Sequence, residues 1–298
     1  MNKEYTKSPI RLKPECISCL VDKQLSAYPK DIALTEKIDY MQGVLKIISE
    51  ATYDMSAPVI VRQIYDLQKE MFGMETDYTE IKKYFNAQML NRYNDFYTKI
   101  KNSDDRLKLA IQYAMIGNYI DFGAMKEVEE EKLNELLEQA KEINLDNQEF
   151  ENLRSEIMTK KKMVYLTDNC GEIVFDKLLI SLIREMNPEL EITVLVRGGN
   201  VLNDATMDDA IQVGLDQITT VIGNGSNIAG TCLEKISEEA FEYIKNADFV
   251  ISKGQGNFET LQECGLNIYY LFLCKCIMFA NKFQVPRFTG MLLNDINM

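Results

Sequence analysis

The chain has 298 residues, 46% hydrophobic and 27% charged, with a net charge of -13 and a pI near 4.7. This is a globular composition, long enough for one large or two ordinary domains, and its acidity excludes a nucleic-acid backbone as partner. There is no histidine, which removes the commonest general base and the commonest zinc ligand; a metal site must use Asp, Glu, Asn and backbone oxygens, or the seven cysteines.

The first residues, Met1 to Lys7, are charged and carry no apolar signal-like core. The longest late apolar run, Ile268 to Phe279, is broken by Lys275 and is too short to span a bilayer. With an odd number of cysteines, these features point to a cytoplasmic protein with reduced thiols and no membrane partner. Of 15 glycines, four precede residue 160 and eleven follow it, and no proline lies between Pro58 and Pro188. Long helices are therefore expected in the first half, and a loop-rich architecture in the second.

Cys16-Ile-Ser-Cys19 opens the chain. It admits two readings: half of a zinc site completed by Cys274 and Cys276, or small apolar side chains in a helix. Helical stripes follow at Ile38, Met41, Leu45, Ile48; at Ile60, Ile64, Leu67, Met71; at Ile81, Phe85, Met89; and at Leu107, Ala110, Ala114. Within this half, Gly117 and Gly123 bracket Asn118 and Asp121, either as a glycine-capped helix end or as polar groups brought close to a ligand. A helical domain over 1–160 is predicted.

From residue 163 the period changes. Strand-like runs at 163–166, 192–196, 218–222, 249–251 and 268–273 alternate with helical stretches, and 288–293 is a candidate last strand. Such alternation predicts a mainly parallel sheet in a three-layer α/β/α sandwich over 161–298. In a parallel sheet the loops after the strands share one edge. Asp168, Asn169, Cys170, Gly171 and Glu172 follow the first strand; Arg197, Gly198, Gly199 and then Asp204 the second; Gly223 and Gly225 the third; Lys253, Gly254 and Gly256 the fourth. Any one of these is an ordinary βα turn. Together they bring hard oxygen ligands (Asp168, Asn169, Asp204), cations (Arg197, Lys253) and glycine loops to one edge, a set suited to a metal-bound phosphate ester. No Walker A sequence is present, and Gly254-Gln255-Gly256 lacks the third glycine of a dinucleotide fingerprint.

At these residues the sequence resembles the metal-dependent damage-control phosphatases, also known as domain of unknown function 89, of the stand-alone prokaryotic type. The stretches that carry the resemblance are Cys16-x-x-Cys19, Gly117-Asn118-x-x-Asp121-Phe122-Gly123, Thr167-Asp168-Asn169-x-Gly171-Glu172, Arg197-Gly198 through Asn203-Asp204-Ala205-Thr206 with Asp209, and Ser252-Lys253-Gly254-Gln255-Gly256-Asn257. Tyr78, Lys82 and Asn86 fit a further motif, although Thr76-Asp77 stands where the family often has Asp-Pro. The resemblance implies hydrolysis of small phosphorylated metabolites with a divalent ion (Mn, Ni, Co or Mg) on Asp168, Asn169 and Asp204. It implies that Lys253 contacts the phosphate, and it makes Asn118 and Asp121 lining of the cleft.

With the resemblance, the expected roles are these. Asp168, Asn169, Asp204 and Lys253 form the catalytic set, and Asn118, Asp121, Glu172, Arg197, Lys253 and Gly254 bind substrate. Glu172 and Asp121 are the candidate proton carriers, and Asp168 is conceivable as a nucleophile although a metal would occupy it. Cys170 lacks a histidine to activate it and is read as packing or oxidation-sensitive. Two alternatives remain open: a carboxyl methyltransferase using S-adenosylmethionine, and a non-catalytic metabolite-binding protein.

Overall fold

The computed structural model describes residues 11–73, 77–120 and 130–298. The chain divides into two compact units, Met1–Asp77 and Tyr78–Met298.

The first unit holds α1 (Pro14–Gln24), α2 (Leu34–Glu50) and α3 (Ala57–Phe72). Its core is Leu20, Tyr40, Val44, Ile48, Ile60 and Ile64. The stripe expected on α2 is shifted: Ile38 and Leu45 are about half exposed, and the buried face runs through Tyr40, Val44 and Ile48. Tyr40 can take a core position because its hydroxyl donates to Gln24 Oε1 at 2.6 Å, so the buried phenol keeps a polar partner.

The second unit begins with α4 (Thr79–Asn91), α5 (Tyr93–Lys101), α6 (Arg106–Gly117), α7 (Glu130–Glu138) and α8 (Asn147–Thr159). The sheet segments follow: β1 (Lys162–Leu166), α9 (Glu172–Met186), β2 (Glu191–Val196), α10 (Met207–Val213), β3 (Thr220–Gly223), α11 (Glu238–Lys245), β4 (Phe249–Lys253), α12 (Gln255–Leu261), β5 (Ile268–Leu273), α13 (Ile277–Phe283) and β6 (Gly290–Asn294). The sheet order is β3-β2-β1-β4-β5-β6. Every pairing is parallel except β5 with β6. The expected α/β class, with a mainly parallel sheet and helices ahead of it, is the observed one.

Alternate residues of β1 serve two cores. Met163 and Tyr165 join a cluster with α6, α8 and α9, and Val164 and Leu166 join one with α11, α12 and α13. This two-sided burial is why the strand reads as a continuous apolar run. The expected division near residue 160 marks where strands begin, but the compact units part at 77/78. The reason is α6: every residue from Leu109 to Gly117 is buried, and its apolar side chains belong to the same cluster as Tyr165 and Phe175. Helices α4 to α8 therefore belong to the unit that carries the sheet.

One strand boundary matters for the site. The apolar pattern ends the fourth strand at Ile251 and leaves Lys253 in the following loop. The strand instead continues to Lys253, which pairs with Leu271. A strand residue sends its side chain to a sheet face rather than over the edge, and this decides where the lysine amine goes.

Candidate active site at the β1/β4 switch point

Strand order reverses between β1 and β4, where open α/β sheets form a crevice outside the strand ends. The loops after β1 and β2 are joined there by backbone hydrogen bonds. Ala205 N–H donates to Asp168 O at 2.7 Å, Arg197 N–H to Ala205 O at 2.9 Å and Cys170 N–H to Asn203 O at 2.8 Å. Asn169 and Asp204 face each other as an isolated β-bridge. Backbone pairing thus brings Asp168, Asn169 and Asp204 together.

Arg197 lies between the two aspartates. Its Nε donates to Asp204 Oδ2 at 2.6 Å, one terminal nitrogen reaches Asp168 Oδ1 at 3.5 Å, and the other donates to Asn257 Oδ1 at 3.1 Å. Asn257 in turn donates to Thr167 O at 3.0 Å and Lys253 O at 2.7 Å, tying the ends of β1 and β4 to the guanidinium. Gly254 has φ +81° and ψ 155°, backbone that an L side chain scarcely reaches, and a Cβ there would overlap the Asp168 carboxylate. This glycine makes room for Asp168.

Asn118 is the C-cap of α6 in right-handed conformation, so Gly117 does not cap this helix end; Gly123 lies outside the described residues. Gly117 is instead buried where a Cβ would meet the Phe175 ring and the Glu172 backbone. Asn118 Nδ2 donates to Asp168 Oδ2 at 2.8 Å and to Glu172 Oε2 at 3.1 Å. Its Oδ1 accepts from Leu273 N–H at 3.2 Å. Asp121 lies outside the described residues.

Lys253 and Glu172 depart most from expectation. Both side chains are 0% exposed. The amine of Lys253 donates to Glu172 Oε1 at 2.7 Å, Asp176 Oδ1 at 2.9 Å and Ala114 O at 2.8 Å. An ammonium has three donors, and all three are used. The lysine therefore does not present its amine to a phosphate, because β4 carries it inward against α6 and α9. Glu172 is equally committed: Oε1 takes Lys253, and Oε2 accepts from Asn118 Nδ2, from Asn169 N–H at 3.2 Å and from Asn169 Nδ2 at 3.0 Å. This replaces its expected role as proton carrier or substrate contact.

Charges behind the site are strongly coupled. Burial pushes the Asp176 carboxyl up to about 6 against the opposing pull of Lys253. Burial disfavours the Lys253 ammonium, but the charges of Asp176 and Glu172 outweigh it and hold its pKa above the usual lysine range. Tyr165 donates to Asp176 Oδ1 at 2.7 Å, and burial and then the Asp176 charge raise its phenol. Burial, then Asp209, raises the Cys170 thiol, in line with a packing role. Asp176 was not singled out from sequence, although an acid four residues after Glu172 in an otherwise apolar helix start was the available signal.

A further polar cluster borders the β2 loop. Thr206 and Asp209 form a capping box at α10, Lys82 pairs with Asp209 at 2.7 Å, and Asn86 donates to Asp209 Oδ1 at 2.8 Å while accepting from Gly171 N–H at 2.6 Å. The glycines after β2 and β3 do not form the expected anion cradle. Gly198 N–H is bound by Ser226 O and Asn224 Oδ1, and a Cβ on Gly198 would run into the Gly225 backbone; these glycines let two loops pack.

The donor set fits a hard divalent ion. The region holds five carboxylates (Asp168, Glu172, Asp176, Asp204, Asp209) against three cations (Lys82, Arg197, Lys253), a formal surplus of two negative charges. Among the described residues no group of three or more carboxylates and cysteines is arranged to hold an ion, so an ion held here would need amide oxygen as well. Asn169 offers it. Its Nδ2 faces Asp168 Oδ2 at 2.7 Å and Glu172 Oε2 at 3.0 Å, both acceptors, which leaves Oδ1 on the other branch of the amide. Cys16 and Cys19 lie in α1, Cys274 and Cys276 just after β5, and none of them is in a disulfide.

The fold and site define a member of a phosphatase family. The sequence model of the damage-control phosphatase ARMT1-like domain matches residues 12–289, and the chain belongs to that family. It is 30% identical to a damage-control phosphatase of Pyrococcus horikoshii, covering 93% of this chain and 96% of the relative. A damage-control phosphatase of Archaeoglobus fulgidus is likewise 30% identical over 93% and 96%, and an uncharacterised protein of Methanocaldococcus jannaschii is 31% identical over 95% of each chain. The crystal structure of the DUF89 family protein from Pyrococcus horikoshii superposes with a TM-score of 0.77 at 27% identity, over 95% of this chain and 99% of that one. These comparisons do not favour the methyltransferase alternative. Among the described residues no helix is long and apolar enough to cross a membrane.

Proposed function

We propose that this chain is a metal-dependent phosphomonoesterase acting on small phosphorylated metabolites, among them sugar phosphates, nucleotides or damaged phosphometabolites, in the cytoplasm. The observation that carries the reading is the convergence of Asp168, Asn169 and Asp204, zipped together by backbone bonds in a region with two surplus negative charges. The names of the archaeal relatives support the damage-control role, and seven cysteines with no disulfide among them suit a reducing compartment.

Asp168, Asn169 and Asp204 would hold the ion, and oxygen donors favour Mg or Mn over softer metals, with Ni and Co as further candidates. When bound, a divalent ion supplies Lewis-acid polarisation of a phosphate ester. Arg197 spaces the two aspartates and offsets their repulsion. Gly254 keeps backbone bulk away from Asp168, and Asn118 holds Asp168 Oδ2 in place. Lys253 acts from below, through Glu172.

The test uses the chelated protein, reconstituted separately with Mn, Ni, Co and Mg, assayed for phosphate release from p-nitrophenyl phosphate and a panel of phosphate monoesters. Metal-restored turnover that disappears in Asp168→Ala supports the proposal. Turnover indifferent to chelation, or ligand binding without turnover, would overturn it, the latter in favour of a metabolite-binding protein.

A further inference from the structure

We infer that Glu172 and Lys253 are positioning residues whose task is to fix which way the Asn169 amide faces, so that its oxygen and not its nitrogen meets the ion. The inference rests on the metal-dependent reading above.

The two branches of an asparagine amide have nearly the same shape, so only hydrogen-bond partners decide which is oxygen. For Asn118 a backbone donor decides: Leu273 N–H fixes its Oδ1. The orientation of Asn169 comes instead from two carboxylates, Asp168 Oδ2 at 2.7 Å and Glu172 Oε2 at 3.0 Å. Asp168 alone is an insecure guide, because the ion would compete for its charge. Glu172 is the independent guide: it is 0% exposed, its Oε2 also holds Asn169 N–H at 3.2 Å, and Lys253 pins its other oxygen at 2.7 Å. Lys253 is in turn held by Asp176 at 2.9 Å and by Ala114 O. The chain of contacts runs from Asp176 through Lys253 and Glu172 to Asn169, the member of it that belongs to the crevice.

Glu172→Gln exposes the role. A glutamine that keeps its oxygen on the Lys253 ammonium places its NH2 against the Asn169 amide, and also against Asn118 Nδ2 and the Asn169 N–H that Glu172 Oε2 accepts from in the native chain. The Asn169 amide then turns its oxygen inward and loses it as a ligand. Asn169→Asp removes the need for orientation, since a carboxylate has oxygen on both branches. In the native background that aspartate would face two carboxylates and bind poorly; beside the glutamine of Glu172→Gln it finds a donor. Each single change should therefore weaken binding, and the double change should restore it. Glu172→Gln/Asn118→Asp returns the same net charge without returning the Asn169 oxygen; because Asn118 also holds Asp168 Oδ2, it is compared with Asn118→Asp alone, and so separates orientation from charge.

Mn binding to the whole chelated chain is measured by calorimetry and by electron paramagnetic resonance, with circular dichroism confirming the fold. Glu172→Gln is expected to weaken Mn binding at least about tenfold, and Glu172→Gln/Asn169→Asp to return within about threefold of the native chain. Glu172→Gln/Asn118→Asp should stay weak. If Glu172→Gln does not fold, tighter binding by the Glu172→Gln/Asn169→Asp double variant than by Asn169→Asp alone carries the test. Native-like binding by a folded Glu172→Gln, or equal rescue by both double variants, would overturn the inference while leaving the metal site standing. A native chain that binds none of the four metals would take down the metal-dependent reading and this inference together.

Discussion

The two compact units bury their polar groups very differently. Among the described residues of the first unit, the buried polar side chains are Gln24 and Ser56, with no buried charge. The second unit buries Lys82, Asp168, Glu172, Asp176, Arg197, Asp204, Asp209 and Lys253 within the connected networks at the strand ends, and Lys275 and Asp295 besides. Burying charge costs several kcal/mol per ion unless it is paired, and a hydrophobic replacement would often be no less stable. The first unit shows what a core in this chain looks like when packing alone is required. The second departs from that pattern chiefly around one crevice, where eight of its buried charges gather, and this departure is the physical signature of the site.

The largest expected effect tests that contrast. Lys253→Met removes the ammonium and leaves Glu172 and Asp176 facing each other in a dry interior. A loss of about 3–5 kcal/mol in unfolding free energy is expected, read by chemical denaturation. A loss below about 1 kcal/mol would show that water reaches the network and that its burial is not the source of the coupling.

A smaller effect follows from Asp176. Its carboxyl is pushed up to about 6 from an ordinary value near 3.8, while Lys253, Glu172 and Tyr165 face it. Between those values the folded chain keeps a proton that the unfolded chain has released. This contribution is therefore present in full below about pH 4 and is lost as pH rises through about 6. Asp176→Asn removes it and leaves one oxygen to accept from Lys253 and Tyr165. The stability of the native chain minus that of Asp176→Asn should fall between pH 4 and pH 6, by roughly 3 kcal/mol at most. A difference that is flat across this window would mean that Lys253 fully compensates the burial of Asp176.

Much of this was legible in the sequence. The strand runs appear as apolar stretches because both sheet faces are covered, and the residues at the strand ends follow directly from parallel order. Asp168, Asn169 and Asp204 do come together, through backbone pairing that a sequence does not display. What escaped was direction. Lys253 reads as a loop cation, but two further residues of β4 turn its amine inward. Glu172 reads as an acid at a helix start, and although Asp176 four residues on was a signal, only the packing of α9 shows that both acids share Lys253. The loop glycines read as anion-binding because nothing in a sequence says that Gly198 and Gly225 lie against each other.

The smallest expected effect comes from the first unit, where periodicity placed the stripe of α2 off-centre: Met41 and Ile48 do pack on the core, but Ile38 and Leu45 do not. Ile38 and Leu45 satisfy a helical stripe as well as the residues that are actually buried, because Tyr40, Val44 and Ile48 define a second stripe on the same helix. Hydropathy alone ranks tyrosine below leucine, so the sequence favours the stripe with Leu45. The fold chooses the other because Gln24 satisfies the tyrosine hydroxyl at 2.6 Å, and a satisfied phenol is a large apolar surface. Leu45→Gln, at a side chain 51% exposed, should therefore change stability by no more than about 0.5 kcal/mol. Val44→Ala, one residue away and fully buried, should cost on the order of 2 kcal/mol. Equal losses at the two positions, measured by denaturation, would mean that Leu45 is covered in solution by a surface of another molecule or of this chain.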